Sequence, residues 1–323
     1  MMNKESRQKY KDFCEQNQLR VYYQPWWLDA VCYGSENWYP ILHEVNGKVL
    51  AAQPVYIKRR AFFFKCIQMP QFTQILGPVT IDLGNLSTSK LCAAEKSIYT
   101  DLTDKLPKFD YFIQTFGHDF RNWLPYYWKG FSQSTKYTYV IKNIKAVEDV
   151  KDNFSPGKRK NINKAVKLVD VKFDLPPDVF YQHHVMTLKA TGRKINYSYE
   201  LFKKMHDACL EHQAGRIIWA EDKIDGKIHA ALFLIWDKKS AYDLISTIDP
   251  KYTNSGSTSL LIYEAIRFLS DRTEQFDFEG SMIESVESSF RQFGAEQVAY
   301  FTIKKTPSKF LRLAEFIRSF FKA

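Results

Sequence analysis

Apolar and polar positions along this chain recur with two different periods, and the switches between them mark out its elements. A spacing of three to four predicts helices over 3–17, 26–33, 88–105, 119–128, 146–153, 156–168, 177–190, 198–213, 257–271, 284–293 and 308–321. Period-two alternation, or a short continuous apolar run, predicts strands at 38–45, 48–57, 60–67, 109–115, 132–142, 169–174, 216–223, 227–236, 240–248, 275–279 and 296–304. The stretch MPQFTQILGP (69–78) follows neither period and reads as an irregular loop. Hairpins and helical crossovers mix throughout. That predicts an α/β (α+β) architecture with mixed sheets, not a doubly wound parallel sheet.

The pattern runs twice. EVNGKVLAA (44–52) and KIDGKIHAA (223–231) each read as strand, tight turn and strand, with Asn46-Gly47 and Asp225-Gly226 at the turns. Each half then has a long strand, a helix and a strand opening Phe-Asp: FDYFIQ at 109–114 and FDFEGS at 276–281. A chain of 323 residues is also long enough for two domains. The expected division is a first domain at 1–144 and a second at 145–323, related by duplication.

FDFEGS carries the most chemistry. If alternation holds, Phe276 and Phe278 face one side of a strand, and Asp277 and Glu279 the other. Carboxylates so spaced lie roughly 6–7 Å apart. In a partly dry cleft their repulsion raises one pKa and yields a general base, Glu279, tuned by Asp277. On a wet edge strand the pair is only a solvated face.

Composition narrows the setting. Hydrophobic residues make up 45% of the chain and aromatics 16%, enough for real cores. No apolar run approaches the ~20 residues of a membrane span, and the N-terminal stretch is too polar for a signal peptide. The five cysteines show no CxxC spacing and read as reduced, mostly buried thiols, so a cytoplasmic location is expected. The seven histidines show no HxxxH or HExxH spacing, and no metal site is expected. The formal charge of +10 resides in two clusters, each with six bases and one acid: 155–172 and 302–323. Such clusters suit a phosphate-bearing ligand or an anionic membrane, or are solvated helix faces. In the last helix Phe310, Leu313, Ala314, Ile317, Phe320 and Phe321 form one stripe among Lys309, Arg312, Arg318 and Lys322. That helix over 308–321 either lies on an anionic membrane or docks on its own domain.

The order of elements resembles two GNAT acyltransferase domains in tandem, and the whole chain resembles the Fem-type (methicillin-resistance-factor) aminoacyltransferases. The resemblance rests on SPGKRKNINKAVK (155–167), AYDLISTIDPKYTNSGSTSLLIYEAIRF (241–268), FDFEGSMIESVESSFRQFGAEQVAYFTIKK (276–305) and PQFTQILGP (70–78). It implies acyl transfer from an activated donor to an amine or hydroxyl. Acyl-coenzyme A is the first donor it suggests; aminoacyl-tRNA, with a peptidoglycan precursor as acceptor, is the alternative. A non-catalytic protein binding a glycan precursor or membrane is a third reading. The family's pyrophosphate loop corresponds to Thr253–Thr258, where Gly256 fits the pattern and Thr253 and Thr258 depart from it. Asn254, Gly256, Ser257 and Ser259 would hold the donor there. Lys158, Arg159, Lys304 and Lys305 would hold phosphate, and Phe72 and Gln74 would line the acceptor cleft. Tyr242 and Tyr300 either only pack and hydrogen-bond or protonate the leaving group. At most one donor site is expected, in the second domain.

Overall fold

Asn46 and Gly47 both adopt left-handed backbone (φ 51° and 78°), and the turn they make sets Val45 opposite Lys48. This is the turn that an Asn-Gly pair between two alternating runs encodes. A computed structural model describes residues 4–61, 63–280 and 282–320. It divides into two compact units, one of residues 1–136 with 299–323, the other of residues 137–298.

The first unit begins with helices α1 (Lys4–Gln16) and α2 (Pro25–Val31). Strands β1 (Trp38–Val45), β2 (Lys48–Arg60) and β3 (Phe64–Gln68) follow, then the short β4 (Val79–Thr80). Helix α3 (Thr88–Asp104) leads to β5 (Tyr111–Phe116) and α4 (Leu124–Trp128). Neighbours β1, β2 and β3 are antiparallel, while β5 returns parallel to β3. Strand β6 (Ser132–Ile141) then carries the chain into the second unit.

There α5 (Val147–Asp152), α6 (Pro156–Leu168) and β7 (Val169–Phe173) precede α7 (Pro177–Ala190) and α8 (Tyr199–Glu211). Strands β8 (Gly215–Asp222), β9 (Ile228–Trp236) and β10 (Ser240–Ile248) run antiparallel in sequence order. Helix α9 (Ser257–Leu269) crosses back to β11 (Gln275–Asp277), which is parallel to β10. Helix α10 (Glu284–Arg291), β12 (Glu296–Lys305) and α11 (Lys309–Phe320) complete the chain. Both units therefore show a run of antiparallel strands (β1–β3 in the first, β7–β10 in the second), then a helix and a parallel strand, the repeat anticipated from the sequence.

The expected boundary at 144 misplaces two segments. Strand β12 pairs antiparallel with β5, Phe301 opposite Phe116 through Lys305 opposite Phe112, so residues 299–323 go with the first unit. Strand β6 pairs through Val140 and Ile141 with Asp277 and Phe276, so residues 137–144 go with the second. Each unit takes the strand beside its parallel strand from the other half of the sequence. The second hairpin also differs from expectation. Asp225-Gly226 is not a two-residue turn, because Asp222 N–H donates to Lys227 O (2.8 Å) and Gly226 N–H to Asp222 O (3.1 Å) across a longer loop.

Strand β9 is apolar along nearly its whole length because both its faces are covered. Ala230, Leu232 and Leu234 share a core with Leu261, Ala265 and Ile266 of α9. On the other face Phe233 packs edge-on against Phe180 of α7 and Phe202 of α8. The first unit has its own core, in which Ile67, Phe112 and Phe116 meet Leu102 and Ile303.

Candidate functional site

The site forms where β10 and β11 part. They share three rungs, Ser240 with Gln275, Ala241 with Phe276 and Tyr242 with Asp277, and β10 continues alone to Ile248. Just past the last rung β10 bulges. Asp243 faces Leu234 and Ile245 faces Phe233, leaving Leu244 as the extra residue. A bulge re-aims side chains and frees backbone groups from the ladder.

Beta strand β11 ends at Asp277, two residues earlier than alternation predicts. Phe278 N–H donates to Tyr139 O (3.0 Å), and Glu279 turns into left-handed backbone at φ 59°. A non-glycine residue held there costs of order 1–3 kcal/mol, so its surroundings must impose it. Two devices do so. Asp277 Oδ1 accepts the Glu279 N–H (2.8 Å), an Asx turn, and Asp277 also accepts the Thr138 hydroxyl. Gly280 (φ 68°) passes so close to β6 that a Cβ would lie 2.2 Å from Tyr137 O.

Asp277 and Glu279 are therefore not a pair on one strand face. Asp277 is wholly buried and acts as the clasp of the turn. The Glu279 residue retains some exposure, but its Oε1 is buried and has no hydrogen-bond partner among the described residues. Burial alone pushes its carboxyl well above the usual carboxylate range; Asp277 is not the cause. The rise expected for Glu279 thus comes from burial rather than from repulsion between two carboxylates.

Sequence reasoning missed Asp243. At the bulge it is 7% exposed, and burial raises its carboxyl to about 6, opposed by the Ser246 hydroxyl donating to both oxygens at 2.8 and 2.7 Å. In AYDLIST it reads as the outward residue of a strand, but β10 is covered on both faces here, and Ala241, Tyr242 and Asp243 are all buried. Tyr242 is fully buried, its hydroxyl 3.4 Å from Asp237 Oδ2. Tyr300 belongs to the first unit, 6% exposed, packing edge-on to His118.

The loop expected to grip a pyrophosphate is built differently. Gly256 (φ 82°) caps α9, and a Cβ there would lie 2.3 Å from Asn161 O of α6. Lys164 Nζ donates to Asn254 O (2.7 Å). Ser257 and Ser259 are 0% and 4% exposed. The Ser257 hydroxyl bonds Ser255 (2.7 Å) and His229 Nδ1 (3.2 Å), and His229 Nε2 meets Asp222 Oδ2 at 2.9 Å. This loop packs onto α6 and spends the Ser257 hydroxyl internally, so that hydroxyl is not free for a pyrophosphate and any grip would fall to backbone N–H groups.

The basic candidates also have internal partners. Lys158 Nζ donates to Ser289 Oγ (2.7 Å) and lies 4.2 Å from the Phe293 ring centre, and burial lowers its ammonium to about 8. Arg159 donates to Asp152 O. Lys304 and Lys305 belong to the first unit and line one pocket together, although alternation predicts opposite directions. Lys304 pairs with Glu315 (2.8 Å), and Lys305 Nζ donates to Lys129 O. In the 69–78 loop Phe72 takes φ 60°, and both polar atoms of the Gln74 amide are buried with no hydrogen-bond partner among the described residues. Among the described residues no three His, Cys, Asp or Glu side chains are placed to hold a metal ion. Four of the five free thiols are buried and Cys92 is exposed. Ser281 and Phe321 lie outside the described residues.

Comparison with known proteins bears on this geometry. The family model for the acetyltransferase (GNAT) domain matches residues 158–281, a span holding β10, the bulge, α9 and Glu279. A comparison with curated proteins found no match. The crystal structure of FemX superposes with a TM-score of 0.67 at 10% identity, covering 95% of this chain and 97% of that one. L-PGS from Bacillus licheniformis gives 0.55 at 10% identity, covering 94% and 92%. The DUF2156 C-terminal domain from Agrobacterium fabrum, assigned to a lysylphosphatidylglycerol synthetase, gives 0.57 at 10% identity, covering 97% and 96%. Residues 158–281 thus match the GNAT acetyltransferase domain, and along its length the chain shares the fold of FemX.

Proposed function

We propose that this protein is an acyltransferase in which Glu279 takes the proton from an attacking amine or hydroxyl. One observation carries the reading: a carboxylate with a buried oxygen that has no hydrogen-bond partner among the described residues, held in strained backbone where two parallel strands part. Burial raises its proton affinity toward the range where a base works at neutral pH. As the acceptor's nitrogen or oxygen bonds to the acyl carbon, its proton passes to Glu279. The carbonyl electron pair then re-forms, the bond to the leaving group breaks, and Glu279 returns the proton to the departing atom. Backbone N–H groups of β10 beyond Tyr242, around the Leu244 bulge, are candidate donors to the oxyanion. Asp277 and Thr138 position the Glu279 turn.

Acyl-coenzyme A is the donor suggested by GNAT domains generally. Aminoacyl-tRNA is the second donor, and it is the one to try first if the loop before α9, whose Ser257 hydroxyl is bonded internally, fails to bind coenzyme A. A peptidoglycan-precursor acceptor goes with that second reading. The test has two parts. Thermal shift with coenzyme A, acyl-coenzyme A, tRNA and a UDP-linked muropeptide identifies the donor class. Turnover of Glu279→Gln with the pair so found then decides the mechanism; unchanged turnover in a folded variant removes Glu279 from it.

A further inference from the structure

The last helix leaves much of its apolar stripe open to solvent. Phe310, Leu313, Phe316 and Ile317 are 78%, 57%, 61% and 49% exposed. Helical spacing puts these four on one face. The opposite side faces the unit, where Glu315 bonds both Lys304 and the Thr306 hydroxyl (3.2 Å). Exposed basic residues flank the stripe: Lys309 and Arg312 on one side, Arg318 on the other. A second feature adjoins the helix. Arg312 also lines a pocket of about 400 Å³ with Lys304, Lys305, Ser132, Gly130 and Glu315, in which three cations face one carboxylate. An apolar stripe edged by cations, next to a cationic recess, is complementary to lipid tails beneath negatively charged headgroups.

We infer that α11 and the pocket at its foot form an interfacial binding surface for an anionic phospholipid bilayer. The stripe enters the headgroup boundary, Lys309, Arg312 and Arg318 meet lipid phosphates, and the recess takes one headgroup. This surface lies wholly in the first unit and does not depend on the acyl-transfer reading. The test is co-sedimentation of the full-length protein with vesicles of phosphatidylglycerol and phosphatidylcholine in equal parts, against phosphatidylcholine alone. The expected result is binding to the anionic vesicles only, weakening as salt rises. Phe310→Ser with Phe316→Ser should weaken it by about tenfold or more. Arg312→Glu with Arg318→Glu should weaken it by about fivefold or more per site. Circular dichroism and melting temperature check that both double variants keep the fold. Absence of binding at low salt, equal binding to neutral vesicles, or unchanged binding by the folded double variants would each overturn the inference. So would light scattering that shows a dimer dissolved by the two Phe substitutions, because the stripe would then belong to a second copy of the chain.

Discussion

The two units offer the same opening, and only one arms it with acid. In the first unit β3 and β5 run parallel for two rungs, Cys66 with Tyr111 and Ile67 with Phe112, before β3 ends. The 69–78 loop then closes the break. Leu76 N–H donates to Thr115 O (2.6 Å), Thr115 N–H points at Met69 Sδ (3.2 Å), and Gly77 lies against Phe116. Behind the loop is a neutral buried network: Tyr126 hydroxyl to Gln53 Oε1 (2.7 Å) and Gln53 Nε2 to Gln114 Oε1 (2.8 Å). In the second unit the same parting of strands holds Asp243, Asp277 and Glu279. Buried neutral groups that satisfy each other stabilise; a buried carboxyl such as that of Glu279, with an oxygen unbonded among the described residues, costs stability. On the proposed function, the comparison gives support to the first break and chemistry to the second.

The most drastic way to break this assignment is at Glu279. Glu279→Gln should lower turnover by about 10²–10⁴-fold, the usual contribution of a positioned base. The wild-type rate should rise with pH as Glu279 loses its proton, and the variant should lose that limb. Gly280→Ala should come next, at about 3 kcal/mol or more of stability read by denaturant melts. It combines φ 68° with a Cβ 2.2 Å from a backbone oxygen. Its counterpart Gly77→Ala should cost less, because Gly77 is not in left-handed backbone and its clash is with a side chain, the Phe116 ring, rather than with backbone.

Asp243 sharpens the comparison through pH. Its carboxyl titrates near 6 when folded against 3.8 ordinarily, so the folded state binds the proton more tightly. That contribution is complete below about pH 4 and is lost as pH rises through about 6. Asp243→Asn should therefore stabilise the protein by up to roughly 3 kcal/mol at about pH 8 and by nothing at about pH 4. The smallest effect belongs to the first unit. Gln53→Leu should cost about 1–3 kcal/mol by stranding buried partners, with turnover per folded molecule unchanged. A large loss of turnover there would move chemistry into the first unit.

Most of the element order was legible because periods of two and of three to four residues separate cleanly in this chain. Helix α6 falls at 156–168, where the pattern put it, and β10 at 240–248. The failures have physical causes. Phe-Asp-Phe-Glu alternates like a strand through 279, yet the Asp277 carboxylate captures the Glu279 N–H and ends the strand. Gly280 was the visible sign of that turn. Asp243 was invisible because alternation assumes one wet face, whereas β10 buries Ala241, Tyr242 and Asp243 alike. The buried line from Ser257 through His229 to Asp222 joins residues far apart in sequence. The partners of β6 and β12 were illegible for a related reason: alternation says which face a strand buries, not which strand lies beside it.

The exchange of those two strands has a consequence for how this protein can be taken apart. A single cut near residue 144 severs no obvious linker module. It would leave β5 of one fragment and β11 of the other with bare edges, because the strand each needs has gone with its sibling. Exposed edges of that kind invite aggregation. Soluble fragments would require a transplant as well as a scission, with residues 299–323 grafted behind the first piece and 137–144 kept on the second.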